Sequence, residues 1–522
     1  MPYGSVAAEL FDTVQALKGV FGSGTDFSNE QIDFIAKTFG ISSGFQPYDL
    51  SAAAYYLQPV FSPFRNRMPR LHLQGRNMEF KSVTNVDTGD ASGVMGEGLA
   101  PASIATQFAD VTTQFKAYGL RSDPVTFEEL YAAVGKAGDF NVDARAVAVA
   151  NLLKALFVKE ERLILGGVGA TAQVSTSGAA PANGLNFTIG GAMGNAPAGG
   201  SLAASTTGGS IAASTAVYGY YTAVTACAIP TGMPTTSGSL AYATSNAGES
   251  LPQSSEMSVT TGSGTSTNSL TFTPPNYSGP APVIGWKLYL GATGAEKYAG
   301  FTTGAPLVIT AVPSTGATVP SADSSAVTSV SGGTGSSVEG MFNGILAWLY
   351  GTGSGATIQQ VNGAITLAAI NAALSSAFAT AFADPDALWV AAQDMPKFTS
   401  IVIGNSSGQP YFFAAPQGDA QGDVTGNFKV ARYLNPVTGK RMPVNVHAYL
   451  PQGTALALTD QLPPWYVGNN VPDVWVWGGN MDYLELDLQP SPNYRKFVTD
   501  LQCVGAIHCF LPSQNVVLSG IA

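Results

Sequence analysis

From Arg162 to Glu249 the chain passes through 86 residues, 163–248, without one Asp, Glu, Lys or Arg. Over 171–337 only six charges occur: Glu249, Glu256, Lys287, Glu296, Lys297 and Asp323. The other 355 residues carry 51. So sharp a shift in charge density marks a separate module inserted into a more ordinary chain. Its first part, about 168–213, is rich in Gly, Ala, Ser and Thr and reads as irregular structure or a linker. From 214 to about 312, short β-type runs alternate with turn residues: AVYGYYTAVTAC (216–227), EMSVTT (256–261), SLTFTPP (269–275), VIGWKLYLG (283–291), KYAGFTT (297–303) and LVITAV (307–312). In VIGWKLYLG, alternation puts Ile284, Trp286, Leu288 and Leu290 on one face and Lys287 and Tyr289 on the other. Strands at this spacing predict a β-sandwich over about 214–330.

The flanks read differently. Residues 1–40 look helical, with a capping-box pattern from Ser28 to Gln31 and Gly40 as a stop. Pro59, Pro63 and Pro69 keep 48–70 from forming one helix. LHLQGRNMEFKSV (71–83) and ATQFADVTTQFKAYGL (105–120) read as two long strands joined by a polar, Gly-rich tip, an extended arm. Asp123-Pro124 predicts a helix over 125–134. Asp143 caps a longer helix to Leu165, whose apolar positions Val149, Leu152, Leu153, Leu156 and Phe157 recur at helical spacing, with Gly166-Gly167 as the stop. After the insert, Ser336 to Glu339 is a capping box leading into MFNGILAWLY. AITLAAINAALSSAFATAFA (364–383) is uncharged, but no basic anchors flank it, and Ile370, Leu374, Phe378 and Phe382 recur as the stripe of a packed helix rather than a membrane span. Asp384-Pro385 predicts a short helix through Gln393, ended by Pro396. TSIVIGN (399–405), VNVHAYL, TALALTD and LQCVGAIHCFLP read as strands. The flanks are therefore α+β and the insert all-β. At about 150 residues per domain, 522 residues suggest about three domains.

The chemistry is sparse. Net charge is −11, which argues against a sequence-reading nucleic-acid binder, since that needs a basic face for phosphates. Cys227, Cys503 and Cys509 cannot build a disulfide framework. Glu9 and Asp12 stand where an export signal needs basic and apolar residues. His72, His447 and His508 lie far apart in strand contexts. Cys503, His508 and Cys509 do not match zinc spacing, and in a strand the two cysteines face away from the histidine. HExxH and the phosphate-cradling GxxxxGKS are absent, and the Gly clusters at 166–169 and 189–200 do not join a strand to a helix. Glu128-Glu129 and Glu160-Glu161 are helix neighbours about 100° apart, so neither pair converges on a substrate; both read as solvated or intersubunit faces. No catalytic, cofactor-binding or metal-ligating residue is assigned, and the reading is of a non-enzyme without cofactors.

Two resemblances stand beside this. SLTFTPP followed by VIGWKLYLG resembles the B and C strands of fibronectin type III and related Ig-like modules, with Phe272 and Trp286 as departures. LQPVFSPFRNRMPRL, the Gly-tipped hairpin with GEG at 96–98, FKAYGLRSDPVTFEELYAAVG and NLLKALFVKEERLILGG together resemble a tailed-phage major capsid protein of the Hong Kong 97-type fold. MPKFTSIVIGN, MPVNVHAYLPQGTALALTD and VGAIHCFLPSQNVVL continue the likeness, which covers 1–167 and 336–522 in order. That resemblance implies an N-terminal arm (1–70), an E-loop hairpin (71–120), a spine helix with the start of a peripheral domain (121–167), the insert (168–335) and an axial domain with returning peripheral strands (336–522). It implies a self-assembling icosahedral shell of hexamers and pentamers in a virion, built in the host cytoplasm. It further implies portal, decoration and scaffolding partners, DNA packaged without sequence reading, and no membrane. Some members join subunits by an isopeptide bond, for which Lys81 with Asn435 or Asn445 is the candidate here. The competing readings are a secreted adhesin or carbohydrate-active protein with a fibronectin-like module, and a tail-tube protein.

Overall fold

The computed structural model describes residues 60–87, 97, 105–122, 124–126, 144–170, 172–174, 176–177, 187–231, 248–264, 266–326, 341–403, 431–465, 471, 473–488 and 496–522. The expected arm helices of 1–40, the hairpin tip, Glu128-Glu129 and the Ser336–Glu339 box lie outside them.

Two sheets make the body. The first runs in the order Arg70–His72, Trp475–Leu488, Lys496–Cys509 and Lys116–Arg121, with Val125–Thr126 pairing the start of the Lys496–Cys509 strand. The second has six strands, ordered Thr357–Gly363, Val516–Ile521, Ala455–Leu458, Ala387–Ala391, Arg441–His447 and Arg432–Leu434. Helix Ala144–Gly166 spans 23 residues and packs Leu152 and Leu156 against Leu501 of the first sheet. Its last turn, Leu163–Leu165, enters the main core with Phe64, Trp348, Trp475 and Ile507. It ends at Gly166, and no side chain fits at Gly166 or Gly167: a Cβ on Gly167 would lie 2.4 Å from the Phe342 carbonyl oxygen. Helix Leu367–Ala381 covers the other side of the six-stranded sheet through Ile370, Ala373, Leu374 and Ala377. Among the described residues no helix is long and apolar enough to cross a membrane.

Strands Asn77–Asp87 and Ala105–Gln114 form the expected hairpin, paired from Asn77↔Gln114 to Asp87↔Ala105 with a register shift between Val83 and Asn85. The predicted second strand breaks at Phe115, whose ring is buried, and its continuation Lys116–Arg121 joins the first sheet instead.

Several expectations need correction. Val125–Thr126 is strand, not the start of a helix. The helix after the insert begins at Ile345 with Gly344 as N-cap, so the capping box does not lead straight into it. Around 384–405 the two predicted elements are exchanged: Ala387–Ala391 is a strand and Met395–Ile403 a helix. ALWVA lies between two strands with every residue buried, and an uninterrupted apolar run is what such a central position selects. Pro396 opens the following helix rather than closing one, because the first turn needs no N–H from it. Phe382 does not extend the stripe of helix Leu367–Ala381; it is the left-handed C-cap, φ 49°, and 58% exposed.

The insert is two antiparallel sheets around one core. One sheet runs Met257–Thr260, Ala216–Thr225, Val283–Gly291, Lys297–Thr302; the other runs Leu307–Ile309, Ser269–Thr273, Ser201–Ser205. Tyr221, Leu270, Phe272, Trp286, Leu288 and Leu290 fill the space between. Ser201–Ser205 pairs with Ser269–Thr273 over five residues, so the 168–213 segment is not simply a linker. Its small residues fit an edge strand as well as a flexible tether, and composition does not separate the two. Nor does the insert hang free. Phe187, Ile189, Val224, Ile229 and Ile284 belong to the main core of the body, Thr303 Oγ1 donates to the Ile521 carbonyl at 3.0 Å, and Gly344 N donates to Gly167 O at 2.8 Å where the chain enters and leaves.

This shared core predicts joint melting. Ile284→Ala and Leu288→Ala each remove a buried side chain, one from the main core and one from the module, and each should cost about 2–5 kcal/mol. Calorimetry should show one transition moving in both variants. A Leu288→Ala protein whose module melts ahead of an unshifted main transition would contradict the shared core.

Candidate functional site

Glu160 and Glu161 are fully buried, not solvated. Being helix neighbours, they point to different elements, and the chain before the hairpin supplies partners to both. Pro63–Arg67 is a helix of five residues whose N-cap, Ser62, makes no side-chain capping bond. Glu161 substitutes for it: its carboxylate accepts from Phe64 N at 2.9 Å and Arg65 N at 2.8 Å, satisfying two free donors with a negative charge at the favourable end. The same carboxylate meets His447 Nε2 at 2.8 Å. Phe64 stacks on that imidazole with ring centroids 4.5 Å apart.

Glu160 faces the other way. It accepts from Arg65 Nε at 2.9 Å and from the Tyr118 hydroxyl at 2.6 Å, and it binds Arg70 and the Tyr483 hydroxyl in close contacts. Arg70 reaches on to Asp482 at 2.6 Å. Aromatic faces complete the enclosure: the Arg65 guanidinium lies 3.8 Å from the Phe157 ring centroid and that of Arg70 4.3 Å from Trp477. Burial, then the Glu160 charge, raises the Tyr118 and Tyr483 hydroxyls well above the ordinary tyrosine range, so both remain protonated donors. Burial alone would lower Arg70, but Glu160, then Tyr483 and Asp482, outweigh it and raise its pKa. Tyr483 is held at φ 42° in an irregular stretch of its strand, which turns its hydroxyl into the cluster. Arg67 is fixed likewise by Asp460 and the Trp389 face. Every arginine of FRNRMPR is thus pinned, and the hairpin starts from a fixed place.

The three histidines part company. His72 is exposed. His508 is fully buried beside Phe80, Trp348 and Phe510, with Nδ1 2.6 Å from Thr113 Oγ1 of the hairpin. Burial lowers its pKa to about 3. Cys503 and Cys509 are buried thiols raised by burial, and no group of His, Cys, Asp or Glu among the described residues could hold a metal ion. In the insert, Lys287 and Tyr289 do not face solvent. Lys287, 1% exposed, meets Glu249 at 2.6 Å, and the Tyr289 and Thr222 hydroxyls donate to the same carboxylate. Lys81 lies on the hairpin opposite Asp110. Asn435 is buried and accepts from Val437 N in its own turn, and Asn445 sits beside Trp389 in the six-stranded sheet.

The sequence reading missed the carboxylate cluster; the signal for it was FRNRMPR, three cations in seven residues with no acid nearby. Nor is GxSxG absent as expected: GNSSG (404–408) has that spacing. That run lies outside the described residues, and the element before it is helix Met395–Ile403, not the strand a nucleophile elbow requires.

No family model and no curated protein matches the chain. Solved structures with a similar chain path include the capsid of a native GTA particle (9% identity, TM-score 0.39, covering 92% of this chain and 98% of that one). Others are the capsid of the cyanophage P-SCSP1u (7%, 0.34, 91% and 93%) and a structure of Gordonia phage Cozz (8%, 0.38, 92% and 92%).

Two measurements probe these centres. Glu160→Gln and Glu161→Gln each leave buried partners short of a charge or acceptor, and each should destabilise by about 3–5 kcal/mol. Limited trypsin digestion should then cut after Arg65, Arg67 or Arg70; unchanged protection would contradict the role given to the pair. For His508, the folded pKa lies below the ordinary 6.5. Above about pH 6.5 the residue is neutral folded and unfolded. As pH falls toward 3 the unfolded chain takes up a proton the fold refuses, and stability drops by up to about 1.4 kcal/mol per unit. Denaturant titrations at pH 6.5 and 4.5 should show a smaller loss in His508→Gln than in the wild type.

Proposed function

We propose that this chain is a structural subunit of a tailed-phage-type shell, assembling as many copies into hexamers and pentamers around packaged DNA, with no catalytic role. The observation that carries this is the hairpin. Its paired strands of 11 and 10 residues reach about 33 Å at roughly 3.3 Å per residue. Its root is built into the body through Met78, Phe80, Val111 and Phe115. A long arm anchored firmly at its root suits contact with a neighbouring copy. The cluster around Glu160 and Glu161 supports the same reading, because it fixes the place from which such an arm starts. The order hairpin, long helix, six-stranded sheet and returning strands agrees with the Hong Kong 97-type resemblance. The net charge of −11 suits a container that does not grip DNA by sequence.

The insert is an Ig-like sandwich with a rearranged chain order. If Ser269–Thr273 and Val283–Gly291 take the B and C places, Lys297–Thr302 and Leu307–Ile309 take C′ and E. The F and G places then fall to Ala216–Thr225 and Met257–Thr260, which come earlier in the chain. Entry and exit side by side at Gly167 and Gly344 suit a module inserted at a loop, and an inward-facing module in every copy would crowd the packaged genome, which favours the outer surface of the shell. Scaffolding, portal and decoration proteins are its further partners, and the virion its location.

Deleting 86–102 should leave the subunit folded and monomeric, with no closed shells by negative-stain microscopy. Normal shells would refute the arm. An epitope inserted between the exposed Ser314 and Thr315 should bind antibody on intact particles; binding only after disruption would place the module inside.

A further inference from the structure

A chain of polar side chains crosses the root of the hairpin, and every member comes from a different element. Gly169 N, at the entry of the insert, donates to Asn343 Oδ1 at 2.9 Å, at its exit. Asn343 Nδ2 points to Gln173 Oε1 at 3.5 Å. The Gln173 amide nitrogen donates to the Thr112 carbonyl at 2.8 Å and to Thr113 Oγ1 at 3.0 Å, both on the hairpin. Because Thr113 Oγ1 accepts from Gln173, its own proton is free for His508 Nδ1 at 2.6 Å, on the long strand Lys496–Cys509. All donors therefore run one way, from the mouth of the insert through the hairpin to the body. Thr113, Asn343 and His508 are buried, so each of these groups needs its partner. Just beyond, Thr176–Ser177 adds a third strand to the hairpin at Ala109 and Asp110, again from the insert.

We propose that Gln173 is a positioning residue: it ties the insert to the hairpin root and sets the angle at which the arm leaves the body. The hairpin strands alone do not fix that angle, since a two-stranded ribbon is free to twist and bend about its root. The core residues Met78, Val111 and Phe115 resist separation of root and body, but apolar contacts have no direction. Hydrogen bonds do. A single side-chain amide that uses both protons on adjacent hairpin residues sets a direction. The insert is thereby more than decoration, because its first segment braces the arm. The consequence for assembly rests on the shell-subunit reading; the consequence for the hairpin does not.

The test uses the full chain with amide hydrogen exchange read by mass spectrometry. In Gln173→Ala, amides of 106–113 should exchange about tenfold faster, the size expected when one or two hydrogen bonds that hold a locally opening segment are lost. Amides of 498–508 should be unchanged. Gln173→Glu should exchange at least as fast as the alanine variant, because a carboxylate has no proton for the Thr112 carbonyl. Thr113→Val should resemble them, and Thr113→Ser, which keeps the hydroxyl, should resemble wild type. Unchanged exchange in Gln173→Ala, or an equal rise across 106–113 and 498–508, would overturn the proposal. Microscopy gives the second readout. Where wild type forms closed shells, Gln173→Ala should give open or irregular ones; normal shells with a fast-exchanging hairpin would overturn the assembly role. If wild type itself forms no particles, the shell-subunit reading falls, and the exchange data still decide the brace.

Discussion

Two adjacent carboxylates near the end of one helix tie the segment before the hairpin to both body sheets. Glu160 and Glu161 are buried, and removing two carboxylates from water costs several kcal/mol each unless partners replace the solvent. Here the partners are supplied by the segment before the hairpin, by both body sheets and by two tyrosines. Such a cluster adds little net stability compared with an apolar replacement. What it adds is selectivity, since displacing any contributor leaves a charge stranded. Adjacency on the helix makes this possible: a turn of about 100° between neighbours lets one carboxylate cap Pro63–Arg67 while the other gathers Arg65 and Arg70.

The charge-poor insert follows the same logic at lower density. Three of its six charges are not left to solvate a surface. Glu249 and Lys287 meet inside, and Glu296 is buried with the Gly294 amide on its carboxylate. Hydroxyls do what charges do elsewhere: Thr222, Thr225, Ser250, Thr261 and Ser325 bond backbone or carboxylate groups across the module. Serine and threonine lose little entropy when fixed and satisfy donors at short range, which suits strands joined by tight turns. Because Phe187, Val224 and Ile284 enter the main core, the module and body stabilise each other.

Local pattern made a good part of this legible. The charge-poor stretch coincides with the two small sheets, alternation found the strands Ala216–Thr225, Ser269–Thr273 and Val283–Gly291, and periodicity with two glycines bounded the helix ending at Gly166. These are properties of a few consecutive residues. It failed where the same residues suit two environments. ALWVA and MPKFTSIVI are both short and apolar, and only neighbours on both sides of Ala387–Ala391 make the first a strand. Ser201–Ser205 looks like linker until Ser269–Thr273 pairs with it.

The largest difference concerns polar groups. Lys287, Tyr289, Glu160, Glu161 and His508 all sit where alternation or helical position places a second face, and a second face is ordinarily wet. The sequence determined which side of each element they occupy. Whether water or another element covers that side depended on residues up to 395 positions away, as Thr113 is from His508. Burial is decided by packing across the whole chain, and a charge is kept inside only when tertiary structure brings it a partner.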